Sequence, residues 1–275
     1  MDKKRAGNRR ATLTAVVATR NEEAAIGACL RALSFADEII VVDSGSTDRT
    51  VEIARPAARV ISCPTPPEDW TDAVRNAAIE QAAGDWILVV DADERPSPGL
   101  QAEIEALLRN GADLPDGFRT PIANYMFGKH LTSPAWWPLS GVRLFRRGRG
   151  RYPEALHRPL QLRGAVGRLT HPLLHDGYPT VESFVTKMNR YTTRAARAYA
   201  AGKSDASGLR PQAIGRVGWW RLLGDPLGAF LRWYVRLQGY RDGLHGLVVS
   251  ILMAFYFFCE TAKVWELQHS RENPS

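Results

Sequence analysis

The strongest constraint on this chain is a set of unbroken apolar runs, each of which stops abruptly in polar residues. Leu13–Thr19 (LTAVVAT), Glu38–Asp43 (EIIVVD) and Trp86–Val90 (WILVV) do not alternate. A strand with one wet face alternates apolar and polar side chains, so these strands read as covered on both faces. Helix signals fall between them. Asn21-Glu22-Glu23 reads as an N-cap with acids in the first turn, opening a helix to about Leu33. Ser46, Thr47 or Asp48 caps the next, Thr71–Ala83 is a third that Gly84 breaks, and Ser97–Arg109 is a fourth. A strand at Arg59–Cys63 and a Pro-rich loop at Pro64–Asp69 complete the first half. Val/Ile runs separated by helices predict an α/β chain with a mostly parallel sheet.

In such a sheet the ligand sits at the carboxyl ends of the strands. Three polar clusters lie there: Thr19-Arg20-Asn21-Glu22, Asp43-Ser44-Gly45-Ser46-Thr47-Asp48 and Asp91-Ala92-Asp93. Parallel topology puts them on one edge, which predicts one site. No G-x-G-x-x-G follows the first strand, and no G-x-x-x-x-G-K-[ST] occurs. The phosphate-cradling glycines of dinucleotide and P-loop sites are therefore missing, and a metal or an arginine must neutralise any bound phosphate.

The 275 residues are 45% hydrophobic and 24% charged, which excludes a disordered, collagen-like or disulfide-framework chain. Charge is unevenly spread. Residues 1–115 hold 13 basic and 19 acidic residues; residues 116–275 hold 23 and 10. A nucleic-acid binder is not expected, because the acidic half opposes it. Cys29, Cys63 and Cys259 form no C-x-x-C pair and read as reduced, cytosolic thiols. Residues 1–11 form a basic arm without the apolar core of a signal peptide.

Phe118–Phe127 and Val142–Arg146 read as strands, Gly148–Gly167 carries short strand patterns, and the chain is helical from Val181. The predicted division is an arm (1–11), a ligand-binding half (12–115), a second half of the same domain (116–180) and a helical extension (181–275). Within Gly218–Gln238 a helical count puts Phe230, Leu231, Trp233, Tyr234, Val235 and Leu237 on one arc, with Arg232 and Arg236 opposite. A basic helix edged by Trp suits a membrane interface, and packing on the catalytic domain is the alternative. The Leu247–Cys259 run is slightly short for a span; it reads as a buried helix or an interfacial segment ahead of a weak span.

Asp91 and Asp93, two residues apart where a strand opens into a loop, can share a hard divalent cation, Mg²⁺ or Mn²⁺, whose shell substrate phosphate completes. Asp43 reads as a hydrogen-bonding partner of a nucleoside base or ribose, with Gly45 and Ser46–Asp48 as turn and cap. Arg75 offers positive charge to a diphosphate, or else pairs on the surface with Asp72 or Glu80. His157 and His175, each placed in a polar loop, are either structural or further ligands of metal or acceptor. Trp136-Trp137 either stacks on a sugar or packs internally. Arg143, Arg146, Arg147, Arg149 and Arg151 form a basic run that either binds an anion or is a solvated face.

The stretches TAVVATRNEEAAIGACLRAL, ADEIIVVDSGSTDRTVEIA and VRNAAIEQAAGDWILVVDADE resemble the nucleotide-sugar domain of family 2 inverting glycosyltransferases. The later pieces VRLFRRGRGRY, LHRPLQLRGAVG and KMNRYTTRAARAYAAGK resemble the small bacterial members that build lipopolysaccharide core or related surface glycans. The likeness covers about residues 12–265. It implies a GT-A-type, Rossmann-like fold, an enzyme on the inner face of the cell membrane, and a nucleotide-sugar donor, with uridine the expected base. The implied partners are a glycan or lipid-linked acceptor and an anionic membrane surface. It implies that Asp43 and the Thr19–Glu22 loop, with Asn21, contact the nucleoside. Asp91, Ala92 and Asp93 would meet the diphosphate, with Asp91, Asp93 and His175 at the metal. Inversion needs an Asp or Glu as base. The family often has an acid where this chain has Arg158, and another where it has Leu139-Ser140-Gly141. Glu154, Asp176 and Glu94 are the remaining candidates; Glu154 is the expected base, with Asp93 the second catalytic carboxylate. A nucleotidyltransferase and a membrane-bound binding protein without activity are the rival readings.

Overall fold

The computed structural model describes residues 10–65, 72–110, 114–153, 159–200 and 216–272. In chain order the elements are β1 (Leu13–Thr19), α1 (Ile26–Ala32), β2 (Glu38–Asp43), α2 (Thr50–Ala54), β3 (Arg59–Ser62), α3 (Asn76–Ile79), β4 (Trp86–Asp91), β5 (Glu94–Pro96) and α4 (Pro98–Asn110). Then come β6 (Gly117–Met126), β7 (Lys129–His130), β8 (Leu139–Arg146), β9 (Gly150–Arg151), β10 (Gln161–Leu162), β11 (Val166–Arg168) and β12 (Leu173–Tyr178). Three long helices follow: α5 (Val181–Ala200), α6 (Trp219–Phe230) and α7 (Leu244–Glu272). The chain divides into two units, one of Met1–Ala123 with Leu139–His175, the other of Asn124–Pro138 with Asp176–Ser275.

In the first unit β3-β2-β1-β4 run parallel, as the uninterrupted apolar runs predict. β8 then adds antiparallel to β4, and β6 antiparallel to β8. This is the α/β, mostly parallel Rossmann-like core expected, extended by an antiparallel part. Strand alternation explains why both faces are apolar. Ala15, Val17, Val41, Leu88 and Val90 pack under Ile26, Cys29 and Leu30 of α1 and Leu100, Ile104 and Leu108 of α4. Val16, Ile40, Val42, Ile87 and Val89 turn the other way, onto Val74, Ala78, Ile79 and Phe145. Each such Val, Leu or Ile side chain contributes roughly 1.5–3 kcal/mol on burial.

Three local expectations change. Helix α1 starts at Ile26 rather than at Asn21–Glu23, because those polar groups are spent between loops. Asn21 adopts a left-handed backbone (φ 54°), and the Glu22 and Glu23 amides donate to Thr50 Oγ1 and Asp48 Oδ2. The Thr71–Ala83 helix shrinks to a 3₁₀ turn at Asp72–Arg75 and the four-residue α3, with Thr71 outside the described residues. Beyond it the chain passes so close to β1 that a Cβ on Gly84 would sit 2.6 Å from the Thr14 amide nitrogen. Two short strands, β5 and β12, had no legible pattern; β12 carries His175 into the sheet instead of leaving it in a loop.

The second unit is a hairpin plus helices. Phe127 and Gly128 both have positive φ (54° and 78°), which suits the two-residue turn that pairs β7 with the end of β6. The core joins Met126 and Leu131 to Phe184, Met188, Trp233, Val249, Met253 and Phe257. Asp242 is buried and fastens the hairpin, accepting from the Thr132 amide (2.8 Å), Thr132 Oγ1 (3.0 Å) and the Ser133 amide (3.1 Å). After Phe230 the chain winds as a π-helix over Leu231–Arg236. The wider turn splits the arc predicted at 3.6 residues per turn: Trp233 is buried while Leu231 and Val235 are exposed.

Candidate active site

Sheet register brings the expected residues to one edge. Thr19 at the end of β1 lies opposite Asp43 of β2, and Ala18 lies opposite Asp91 of β4. Thr19 Oγ1 is buried there with no partner among the described residues. The Asp43 carboxylate accepts from the Gly45 amide (3.2 Å), the Ser46 amide (3.1 Å) and Ser46 Oγ (2.5 Å). Gly45 sits at φ 90°, which bends the loop back onto that carboxylate. Asn21 ties the neighbouring loop in: its amide donates to Ser46 Oγ (2.9 Å) and its Oδ1 accepts from the Thr47 amide (2.8 Å). Asp48, one residue ahead of the N-cap Arg49, accepts from the Thr50 amide at the start of α2 (3.0 Å).

Beyond β4 the chain turns through Ala92, whose amide donates to the Ala18 carbonyl (3.1 Å). Asp91 lies between two guanidiniums: Arg75 bonds its Oδ1, and Arg143 lies 3.6 Å from its Oδ2. Arg75 is buried, also bonds Asp72, and lies 5.3 Å over the Tyr152 ring. It is therefore no surface arginine, and Glu80 pairs with Arg151 instead. Burial would raise Asp91, but Arg75 and then Arg143 hold it below the ordinary carboxylate value. Arg143 also donates to Glu94 Oε1 (2.6 Å), while Glu94 Oε2 accepts from the Asp91 amide (2.9 Å). Glu94 is 2% exposed, and burial pushes its carboxyl up to about 7 despite Arg143.

Pairing of β5 with β12 sets His175 opposite Glu94, and its Nε2 lies 3.6 Å from Asp93 Oδ2. Burial alone would lower His175; the Asp93 carboxylate, then Glu94 and Asp91, outweigh it and hold the imidazole above its ordinary value. A carboxylate oxygen and an imidazole nitrogen are donor types that suit a Mn²⁺-type ion, so Asp93 and His175 would be the residues to hold one. The three expected metal ligands do not gather as one set. Asp91 faces the arginines, and no group of three or more His, Cys, Asp or Glu side chains suited to a metal occurs among the described residues.

Glu154, His157 and Arg158 lie outside the described residues. Trp136 stacks on Trp233 (5.1 Å, 30°) inside the second unit, so it packs internally. The basic run is largely partnered: Arg143 is in the site, Arg146 lies 4.7 Å over Trp86, Arg149 pairs with Asp116 and Arg151 with Glu80. Sequence reasoning missed Arg143 as a site residue and β12 as the strand carrying His175. The one available signal was a charge inside an apolar strand, VRLF.

The Glycosyl transferase family 2 model matches residues 14–160. The lipopolysaccharide core biosynthesis glycosyltransferase LpsC of Rhizobium meliloti (strain 1021) is 30% identical over 269 residues, covering 96% of this chain and 95% of LpsC. Among solved structures, S. aureus TarS 1–349 in complex with UDP-GlcNAc is similar at a TM-score of 0.48, with 13% identity over 95% of this chain and 91% of TarS 1–349. The mannosyltransferase PcManGT of Pyrobaculum calidifontis, in complex with GDP-Man and Mn²⁺, is similar at 0.47, with 17% identity over 94% and 88%.

Proposed function

This chain belongs to glycosyltransferase family 2, and from its site we propose that it moves a sugar from a UDP-linked donor to a lipid-linked or cell-surface glycan, with inversion and the help of a divalent metal. The observation that carries this reading is the shared edge. Asp43, the unpartnered Thr19 hydroxyl and the Asn21–Glu22 loop stand where a nucleoside would bind, one strand from Asp91 and two residues further to Asp93. Arg75, and with it Arg143, supplies fixed positive charge toward a diphosphate entering beside Asp91.

Asp93 and His175 would hold the metal, which when bound stabilises negative charge on the departing nucleoside diphosphate. The chain's own residues do the rest. The two arginines and Glu94 fix the Asp91-Ala92-Asp93 corner before substrate arrives, so little reorganisation accompanies reaction. Glu94, buried and held by Arg143, positions that corner. Glu154 is the proposed base: it takes the acceptor hydroxyl proton as that oxygen bonds the anomeric carbon of the sugar, whose bond to the nucleoside diphosphate breaks so that the diphosphate leaves with the electron pair. The relative LpsC is named for lipopolysaccharide core biosynthesis, and an acceptor of that chemical class on the cytosolic side of the membrane is the reading proposed here.

The test is thermal unfolding with UDP, GDP, CMP and ADP, each with and without Mn²⁺. A ligand at about 100 times its dissociation constant adds about 2.7 kcal/mol. The expected result is a UDP shift that requires Mn²⁺ and disappears in Asp93→Ala. A UDP shift indifferent to metal removes the metal role, and no shift with any nucleotide removes the donor site.

A further inference from the structure

Helices α6 and α7 pack as an antiparallel pair within the second unit. Val217 N–H bonds Gln268 Oε1, Thr261 Oγ1 donates to Asp225 Oδ2 (3.1 Å), and Gly246 abuts the Gly239 carbonyl. Each helix buries one side. Met253, Tyr256, Phe257 and Val264 of α7 face inward, as do Ala229 and Trp233 of the other arm. The opposite sides are also apolar. Along α6 and its π-helical continuation, Leu223 (67% exposed), Leu227 (60%), Leu231 and Val235 recur every fourth residue, preceded by Trp219 (73%) and Trp220. Along α7, Leu244, Ile251, Phe255, Phe258 and Trp265 recur at helical spacing. Stripes of this size on a soluble surface mark an interaction site.

Charge distinguishes the occupant. On the segment 216–242 the exposed ionic side chains are Arg216, Arg232, Arg236 and Arg241. Its two acids are engaged, Asp225 with Arg221 and Thr261, and Asp242 with Thr132 and Ser133. A second copy docked on the same face would bring arginine against arginine. The chain's own 201–215 segment carries only Leu209 and Ile214 as large apolar residues, too few to cover two stripes. Along 216–242, exposed leucine and tryptophan flanked by exposed arginine match the boundary between acyl chains and anionic headgroups, and the α7 stripe adds one exposed acid, Glu266 beside Trp265.

Length and composition alone would let α7 cross a bilayer, since an 18-residue window within Leu244–His269 has a mean hydropathy of 1.7. Its partner cannot follow. The other arm carries Arg221, Asp225, Pro226, Arg232 and Arg236 along its length, and it is bonded to α7 midway. We propose that the α6–α7 hairpin lies in the plane of an anionic membrane, with Leu223, Leu227, Leu231 and Val235 in the acyl boundary and Arg232, Arg236 and Arg241 at the headgroups. This surface is independent of the donor site.

The experiment uses the full chain and sedimentation with vesicles of phosphatidylcholine alone or with phosphatidylglycerol. Binding should favour the anionic vesicles and weaken with salt. Arg232→Gln/Arg236→Gln should bind them about 30-fold more weakly, at roughly fivefold for each surface arginine. Leu223→Gln/Leu227→Gln, which alters exposed positions only, should abolish binding to both while the melting temperature holds. From cells, alkaline carbonate should release the wild-type chain. Resistance to carbonate would overturn the in-plane arrangement in favour of a span. Failure to sediment with either vesicle, or concentration-dependent dimerisation lost in Leu223→Gln/Leu227→Gln, would overturn the membrane as occupant.

Discussion

Asp91 and Asp93 look equivalent in the sequence, yet their removal should have very different effects on stability. Asp91 neutralises Arg75, whose side chain is 5% exposed, and faces Arg143 at 3.6 Å. Stranding a buried charge costs about 3–5 kcal/mol. Asp72 still reaches Arg75 and Glu94 still reaches Arg143, so Asp91→Ala should fall at the low end, near 3 kcal/mol. Asp93 has a looser partner, His175 at 3.6 Å, and its charge repels that of Asp91. His175, unlike arginine, can give up its proton once Asp93 is gone, so no buried charge is stranded; the loss should be about 1 kcal/mol or less, and relief of the repulsion offsets it. At roughly 2–4 °C per kcal/mol, Asp91→Ala should melt about 6–12 °C lower and Asp93→Ala no more than about 4 °C lower. Circular dichroism during heating, without nucleotide or metal, reads both. Asp91→Leu combined with Arg75→Met, which removes both charges, should regain much of the loss. Equal shifts for the two alanine variants, or a double variant worse than Asp91→Ala, would refute the argument that Asp91 is chiefly the counter-charge of buried arginine.

Three other outcomes follow from particular contacts. Gly84→Ala places a Cβ 2.6 Å from backbone of β1 and should cost about 1–3 kcal/mol in urea unfolding. Asp242→Ala strips two amides and a hydroxyl of their shared acceptor; a loss of about 2–3 kcal/mol is expected, with amide exchange at Thr132 and Ser133 rising most. Glu94, raised to about 7 from 4.5, favours the fold while protonated, so its contribution is present below pH 4.5 and lost as pH rises through 7. His175, also raised, loses its contribution on rising through its folded value, in the same direction. Stability should therefore decline between pH 5 and 8, each group adding a slope of up to about 1.4 kcal/mol per unit, and Glu94→Gln should flatten the profile.

What the sequence alone determined follows from short-range patterns. Unbroken runs such as LTAVVAT and WILVV can be stable only between two covering layers, so the parallel core and its polar edge were legible. Thr19, Asp43 and Asp91 sit at strand ends, and register aligns strand ends once the strands are parallel. The helical extension was legible because its apolar residues recur every three or four positions. Helix α1 does not start at Asn21–Glu23, because a side chain that can cap its own helix can equally bond a loop 26 residues away. Only the tertiary structure decided the charges of the site. Nothing local in VRLF or DADE says that Arg143 reaches Asp91 and Glu94, that Arg75 is buried beneath Tyr152, or that a short strand brings His175 to Asp93. Those pairings join segments separated by 16 to 82 positions. Their energies depend on how deeply each charge is taken from water, and burial belongs to the folded assembly rather than to any one residue.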